Sequence, residues 1–191
     1  MSAVVSLGCL ACGPGAAAPP ASGSAAATGI ARYLPLEDGT VAAFETTLEP
    51  GAERGLLVLE IRRPTPNVAE LVVAGRARRL NVSEHAVAHL AGGFLLREPL
   101  AAGQQWHGDF GHVRLTRTGQ SVTVGAGTFR DCVETVEELA TREGEKRTTT
   151  LFCPGVGITV RETEAEQGAV HQSERMTLKS YGPKFGTAPK K

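Results

Sequence analysis

Two groups of histidines carry the side chains of this sequence best suited to chemistry. Glu84, His85 and His89 read E-H-x-x-x-H, a spacing that sets both imidazoles on one face of either a helix or a strand. His107, Asp109 and His112 read H-x-D-x-x-H within a Gly-rich stretch. Together they offer nitrogen and oxygen donors for zinc or copper, and a metal-dependent hydrolase is the enzyme they would build. The spacing matches no established metal motif, because Glu84 precedes the pair instead of following the first histidine as in H-E-x-x-H. Loop or surface histidines are the simpler reading, so no metal and no cofactor is expected. No G-x-S-x-G elbow offers a nucleophile. Glu134, Glu137 and Glu138, and again Glu162, Glu164 and Glu166, read as the solvated faces of strands. Nothing here requires an enzyme.

The cysteines say more. Cys132 and Cys153 bracket two extended-looking arms around the turn-prone Arg142, Glu143, Gly144 and Glu145. A two-residue turn at Glu143 and Gly144 would set Cys153 opposite Glu134, one diagonal step from Cys132. A four-residue turn would set the two cysteines directly opposite. Either register is close to disulfide reach, and a cross-strand disulfide points to an oxidising compartment.

Cys9 and Cys12 lie instead in a short apolar opening, which reads as the end of a lipoprotein signal peptide over residues 1–12. Cys12, or failing that Cys9, is the expected lipidated residue. No Lys or Arg precedes Arg32, and a start further upstream would supply the missing basic region. Residues 13–29 are almost entirely Gly, Ala, Pro and Ser, the composition of a disordered linker. A coil of that length spans about 20 to 25 Å, enough to hold a domain clear of a bilayer.

These residues need a scaffold. From Tyr33 onward the chain alternates short extended segments with turn residues such as Pro50, Gly51, Gly75, Thr118, Gly119 and Gly168. Val113 and Leu115 alternate with His112, Arg114 and Thr116. Val156, Ile158 and Val160 share a face from which Thr159 and Arg161 point away. One buried face and one wet face indicate an all-β domain over residues 30–181: a strongly curved antiparallel sheet or partial barrel of about ten strands. There is room for one short helix, with Ser83 as a cap before Val87 and Leu90. Residues 182–191 read as a disordered tail. Gly125 and Gly127 suggest a bulge or tight bend, and Pro154 and Gly155 a turn. Arg76, Arg78 and Arg79 read as a charged edge strand. Trp106, the single tryptophan, is expected to cover one end of the core; exposed, it would mark a ligand or partner surface.

Charge is balanced, with 20 basic and 20 acidic residues in 191, so no global field draws the chain to nucleic acid. Several motifs in order carry a family likeness: Tyr33-Leu34-Pro35-Leu36 with Gly39, LLREPLAAGQQW ending at Trp106, VTVGAGTFRDCV ending at Val133, FCPGVGITV from Phe152, and LKSY ending at Tyr181. The chain resembles the bacterial domain of unknown function also labelled TapB-like. That resemblance implies a secreted or lipid-anchored envelope protein with a curved antiparallel sheet similar to periplasmic lipoprotein carriers. The expected function is a non-enzymatic lipoprotein on the periplasmic side or at the outer membrane. Its curved sheet would bind an apolar ligand, such as a lipid, or an envelope protein. The alternatives are the histidine-based hydrolase and a structural subunit of a surface assembly.

Overall fold

The computed structural model describes residues 29–51, 53–142 and 144–184. One short helix, α1 (Gly29–Tyr33), precedes twelve strands. These are β1 (Thr40–Glu49), β2 (Glu53–Thr65), β3 (Val68–Val73), β4 (Arg76–Val82), β5 (Ala86–His89), β6 (Phe94–Arg97), β7 (Gln105–His107), β8 (His112–Val124), β9 (Gly127–Ala140), β10 (Gly144–Cys153), β11 (Gly157–Gln167) and β12 (Val170–Pro183).

All twelve lie in one sheet, in the order β6-β5-β4-β3-β2-β1-β12-β11-β10-β9-β8-β7. Consecutive strands pair antiparallel except β6 and β7, and β12 returns to pair with β1 from Thr40↔Pro183 to Glu49↔Ser173. A meander joined in this way curls into a nearly closed barrel whose only edges are β6 and β7. Those edges are short and face each other. Trp106 donates its indole N–H to the Phe94 carbonyl at 3.0 Å across the seam. Gly93 packs so tightly there that a Cβ would sit 1.8 Å from the Gly108 carbonyl oxygen.

Alternation places the core. Ile61, Leu80, Val87, Leu96, Leu115 and Phe152 point into the barrel and cluster with Ile30, Leu34 and Leu36 from α1 and the segment after it. The α1 segment closes one end of the barrel. Gly155 donates its N–H to the Arg32 carbonyl, Leu34 meets Gly157, and Gly29 abuts Glu98 and the Glu84 carbonyl. The tip of the β8–β9 hairpin folds under the same end, where the Ala126 N–H donates to the Leu178 carbonyl and Phe129 stacks edge-on against Tyr181. Among the described residues, no helix is long and apolar enough to cross a membrane.

Several local readings change. The chain does not turn between strands at Thr118 and Gly119. Residues 112–124 form the single strand β8, bent by register shifts against β9, with positive φ at Gly119 on β8 (68°) and at Asp131 on β9 (57°). Gly125 and Ala126 form the two-residue turn of that hairpin, since Val124 pairs with Gly127. β4 is not an edge strand, because the β5–β6 hairpin adds to it. The helix is α1, whereas the segment after Ser83 forms β5. β12 runs to Pro183.

Candidate functional site

The register of β9 against β10 pairs Ala140 with Glu145 and Val133 with Phe152, which brings Cys153 level with Cys132. This is the four-residue-turn alternative. The two cysteines form a disulfide, and both are fully buried. The Thr159 hydroxyl lies 3.1 Å from Cys153 Sγ. Cys9 and Cys12 lie outside the described residues.

The histidines of the sequence do not converge. His85 sits near the α1 end on the outside of the barrel, with Nδ1 2.7 Å from Glu98 Oε2. That bond, and then the charge of Glu84, raises its pKa above the ordinary histidine value. His107 and His112 are cross-strand neighbours at the opposite end, their rings edge to face with centroids 6.0 Å apart. His89 points into the lumen and is only 7% exposed. Among the described residues, no group of three or more His, Cys, Asp or Glu side chains is placed to hold a metal ion. Trp106 is also inside, 6% exposed, with its N–H spent on Phe94.

A different constellation forms in the half of the lumen away from α1. Arg78 on β4 faces inward because it shares the phase of Leu80, and it forms an ion pair with Asp109 in the β7–β8 loop. His89 Nε2 lies 4.0 Å from the same carboxylate. Glu137 points inward on the phase of Val133 and Thr135, and one of its oxygens accepts the Phe110 and Gly111 N–H groups at 2.8 and 3.0 Å. This carboxylate therefore pins the loop that carries Asp109 across the barrel mouth. The fit is close, since a Cβ on Gly108 would meet Glu137 Oε1 at 2.2 Å and one on Gly111 would meet the Glu138 carbonyl at 2.0 Å.

Arg161 completes the group, against the expectation that it points away with Thr159. The register shift between Leu151 and Phe152 leaves Thr159 as an extra residue, because Leu151 pairs with Val160 and Phe152 with Ile158. A bulge shifts the period-two phase of the strand beyond it, so Arg161 turns to the same side as Ile158 and both line the lumen. Thr159 is fully buried, its hydroxyl donating to the Leu151 carbonyl at 3.2 Å.

The electrostatics follow from this crowding. Burial, and then the positive charge of Arg78, lowers the His89 pKa from its ordinary value. Burial works to raise the Asp109 carboxyl, but the hydrogen bond from Arg78 and the charges of His89, Arg78 and Arg161 hold it below the usual carboxylate value. Burial and repulsion from Arg78 lower Arg161, against the pull of Glu137, Glu174 and Asp109. Between these groups lies a cavity of about 30 Å³, also lined by Thr135, Thr148 and Thr150. A second cavity of about 40 Å³, lined by Leu34, Leu36, Phe44, Leu59 and Ile158 among others, lies toward the α1 end. Sequence reasoning missed Glu137 and Arg161 as lumen residues. The phase of Val133 and Thr135 could have revealed Glu137; the bulge that turns Arg161 inward leaves no local mark.

No protein-family model matches the chain. No curated protein matches it either, so the TapB-like resemblance rests on its motifs. The fold is similar to a crystal structure from Bacteroides fragilis described as an exported protein with a YmcC-like fold. That protein is 12% identical, with 78% of this chain and 98% of that chain covered at a TM-score of 0.50. A structure from Parabacteroides distasonis described as a lipoprotein is 13% identical, with the same coverage and a TM-score of 0.44. At such identities the likeness concerns the fold.

Proposed function

We propose that this chain is a non-enzymatic lipoprotein of the bacterial cell envelope, held by a lipid on Cys12 or, failing that, Cys9, whose barrel offers its outer surface to an envelope protein. The packed lumen carries this reading. Among the described residues, the cavities at the mouth and toward α1, of about 30 and 40 Å³, lie well below the roughly 300–1,000 Å³ of pockets that enclose small molecules. Neither cavity has room for a lipid chain, which favours the protein partner over the apolar ligand. The outer face of β2 leaves Leu56 63% and Val58 46% exposed, apolar area available for contact. The Cys132–Cys153 disulfide suits an oxidising compartment.

The hydrolase is less well supported, because the groups it would need already hold structure. Asp109 is paired with Arg78, Glu137 carries the loop N–H groups, and His85 is bound to Glu98. The surface-assembly reading requires a free sheet edge, whereas β6 and β7 face each other across the seam.

The test uses the full upstream reading frame in the native host. Mass spectrometry of the membrane fraction should find an acylated N-terminal cysteine. Photo-crosslinkers placed at Leu56 and Val58 should capture one discrete envelope protein. An unlipidated chain starting at Met1 in the cytoplasm would refute the envelope reading. Lipid retained by the purified domain without any protein crosslink would return the function to a carrier.

A further inference from the structure

The mouth cavity has unmatched polar groups. The Asp109 carboxylate is engaged by Arg78, and the Glu137 oxygen that faces the loop is engaged by two backbone N–H groups. Arg161 lines the same space and, among the described residues, its guanidinium makes no hydrogen bond and no ion pair within 4.0 Å. His89 is only 7% exposed, and its Nδ1 is a buried polar atom without a hydrogen-bond partner. A guanidinium cannot shed its proton at ordinary pH, so the half-buried Arg161 favours negative charge or water beside it. An imidazole nitrogen left bare in a low-dielectric interior incurs a further desolvation cost. Both deficits face one space of about 30 Å³, enough for one or two waters or a single halide ion and too small for a phosphate with its hydration.

We propose that this cavity binds one compact monovalent anion of halide size between the Arg161 guanidinium and His89 Nδ1–H, with His89 protonated when the anion is bound. The charges facing His89 come from Arg78 on β4, Asp109 in the β7–β8 loop, Glu137 on β9 and Arg161 on β11, with Glu174 on β12 beyond Arg161. With neutral His89, Arg78 and Arg161 balance Asp109 and Glu137. An added anion then leaves one negative charge, which a proton on His89 neutralises. That imidazolium directs Nε2–H toward Asp109 Oδ1, 4.0 Å away, and Nδ1–H toward the anion. The hydroxyls of Thr135 and Thr150 supply neutral donors on the remaining side.

Crystals of the oxidised protein grown in sodium bromide test this directly. An anomalous bromine peak in the cavity beside Arg161 and His89 is expected; ordered water there, with no peak, would overturn the proposal. In solution, sodium chloride replaces sodium gluconate at constant ionic strength. At about tenfold excess over Kd the Tm should rise by roughly 3–6 °C. The rise should be larger at about pH 5 than at about pH 8, since His89 must take up a proton. Arg161→Met should lose the chloride effect. If that variant does not fold, His89→Phe in the same titration and the bromide crystal decide. No chloride effect at either pH would overturn the site, and an equal effect at both would overturn the protonation of His89.

Discussion

Replacing Cys132 and Cys153 together with Ala removes a cross-link across 21 residues of sequence. In the loop-entropy relation, a closed loop of that length stabilises the folded state by about 3.3 kcal/mol at 25 °C. For a domain of this size that corresponds to a Tm lower by roughly 7–13 °C. The loss should have a location as well as a size. Cys132 sits beside Asp131, where β9 bends, and pairs with Gln120 of β8, so the bridge clamps the bend of the β8–β9 hairpin to the end of β10. Beyond the bend, the hairpin tip is held by the Ala126 to Leu178 hydrogen bond and the Phe129–Tyr181 contact. Trp106 is the only tryptophan and lies in the core, so its fluorescence reports global unfolding in urea. Hydrogen exchange at the Ala126 amide reports the tip. We expect the variant to lose about 3 kcal/mol and to exchange Ala126 faster than the amides of β2 and β3. A loss below about 1 kcal/mol at an unchanged m-value would refute the role assigned to the bridge. Unchanged protection at Ala126 would refute its clamping of the tip.

Glu137→Ala leaves the Phe110 and Gly111 N–H groups without their acceptor and should destabilise by about 2–4 kcal/mol, with Glu137→Gln costing less; urea melts and exchange at those two amides check this. Gly93→Ala drives a methyl group into the Gly108 carbonyl at φ 80° and should cost at least about 3 kcal/mol, whereas Gly119→Ala, with open space around it at φ 68°, should cost only about 1 kcal/mol. Comparative thermal melts would separate the two, and equal losses would contradict the tight seam. In halide-free gluconate, the lowered His89 pKa means that the unfolded chain binds a proton before the folded one does. The stability this group contributes is therefore intact above pH 6.5 and is lost as pH falls from there through the folded-state pKa. His89→Gln should flatten that part of the pH profile, and a profile identical to the unsubstituted protein would show that another group carries it.

The amino-acid sequence determined the local facts by itself. Period-two alternation at Val113 and Leu115, together with turn residues such as Pro154 and Gly155, defined extended segments that the sheet then used as strands. Spacing also brought Cys132 and Cys153 within reach of each other, because a hairpin is a short-range structure whose register depends on a few turn residues. Only the tertiary structure decided what depends on distant pairing. β12 pairs with β1 across nearly the whole domain, and that pairing turns a curved sheet into a nearly closed barrel with a filled lumen. Closure brought the β6 and β7 edges together through Trp106 and Gly93. It also gathered Arg78, His89, Asp109, Glu137 and Arg161 from five separate segments into one mouth. Arg161 shows why the sequence could not reveal this. Its side is set by a bulge at Thr159, a mismatch between two paired strands, and a mismatch exists only once both strands are in place.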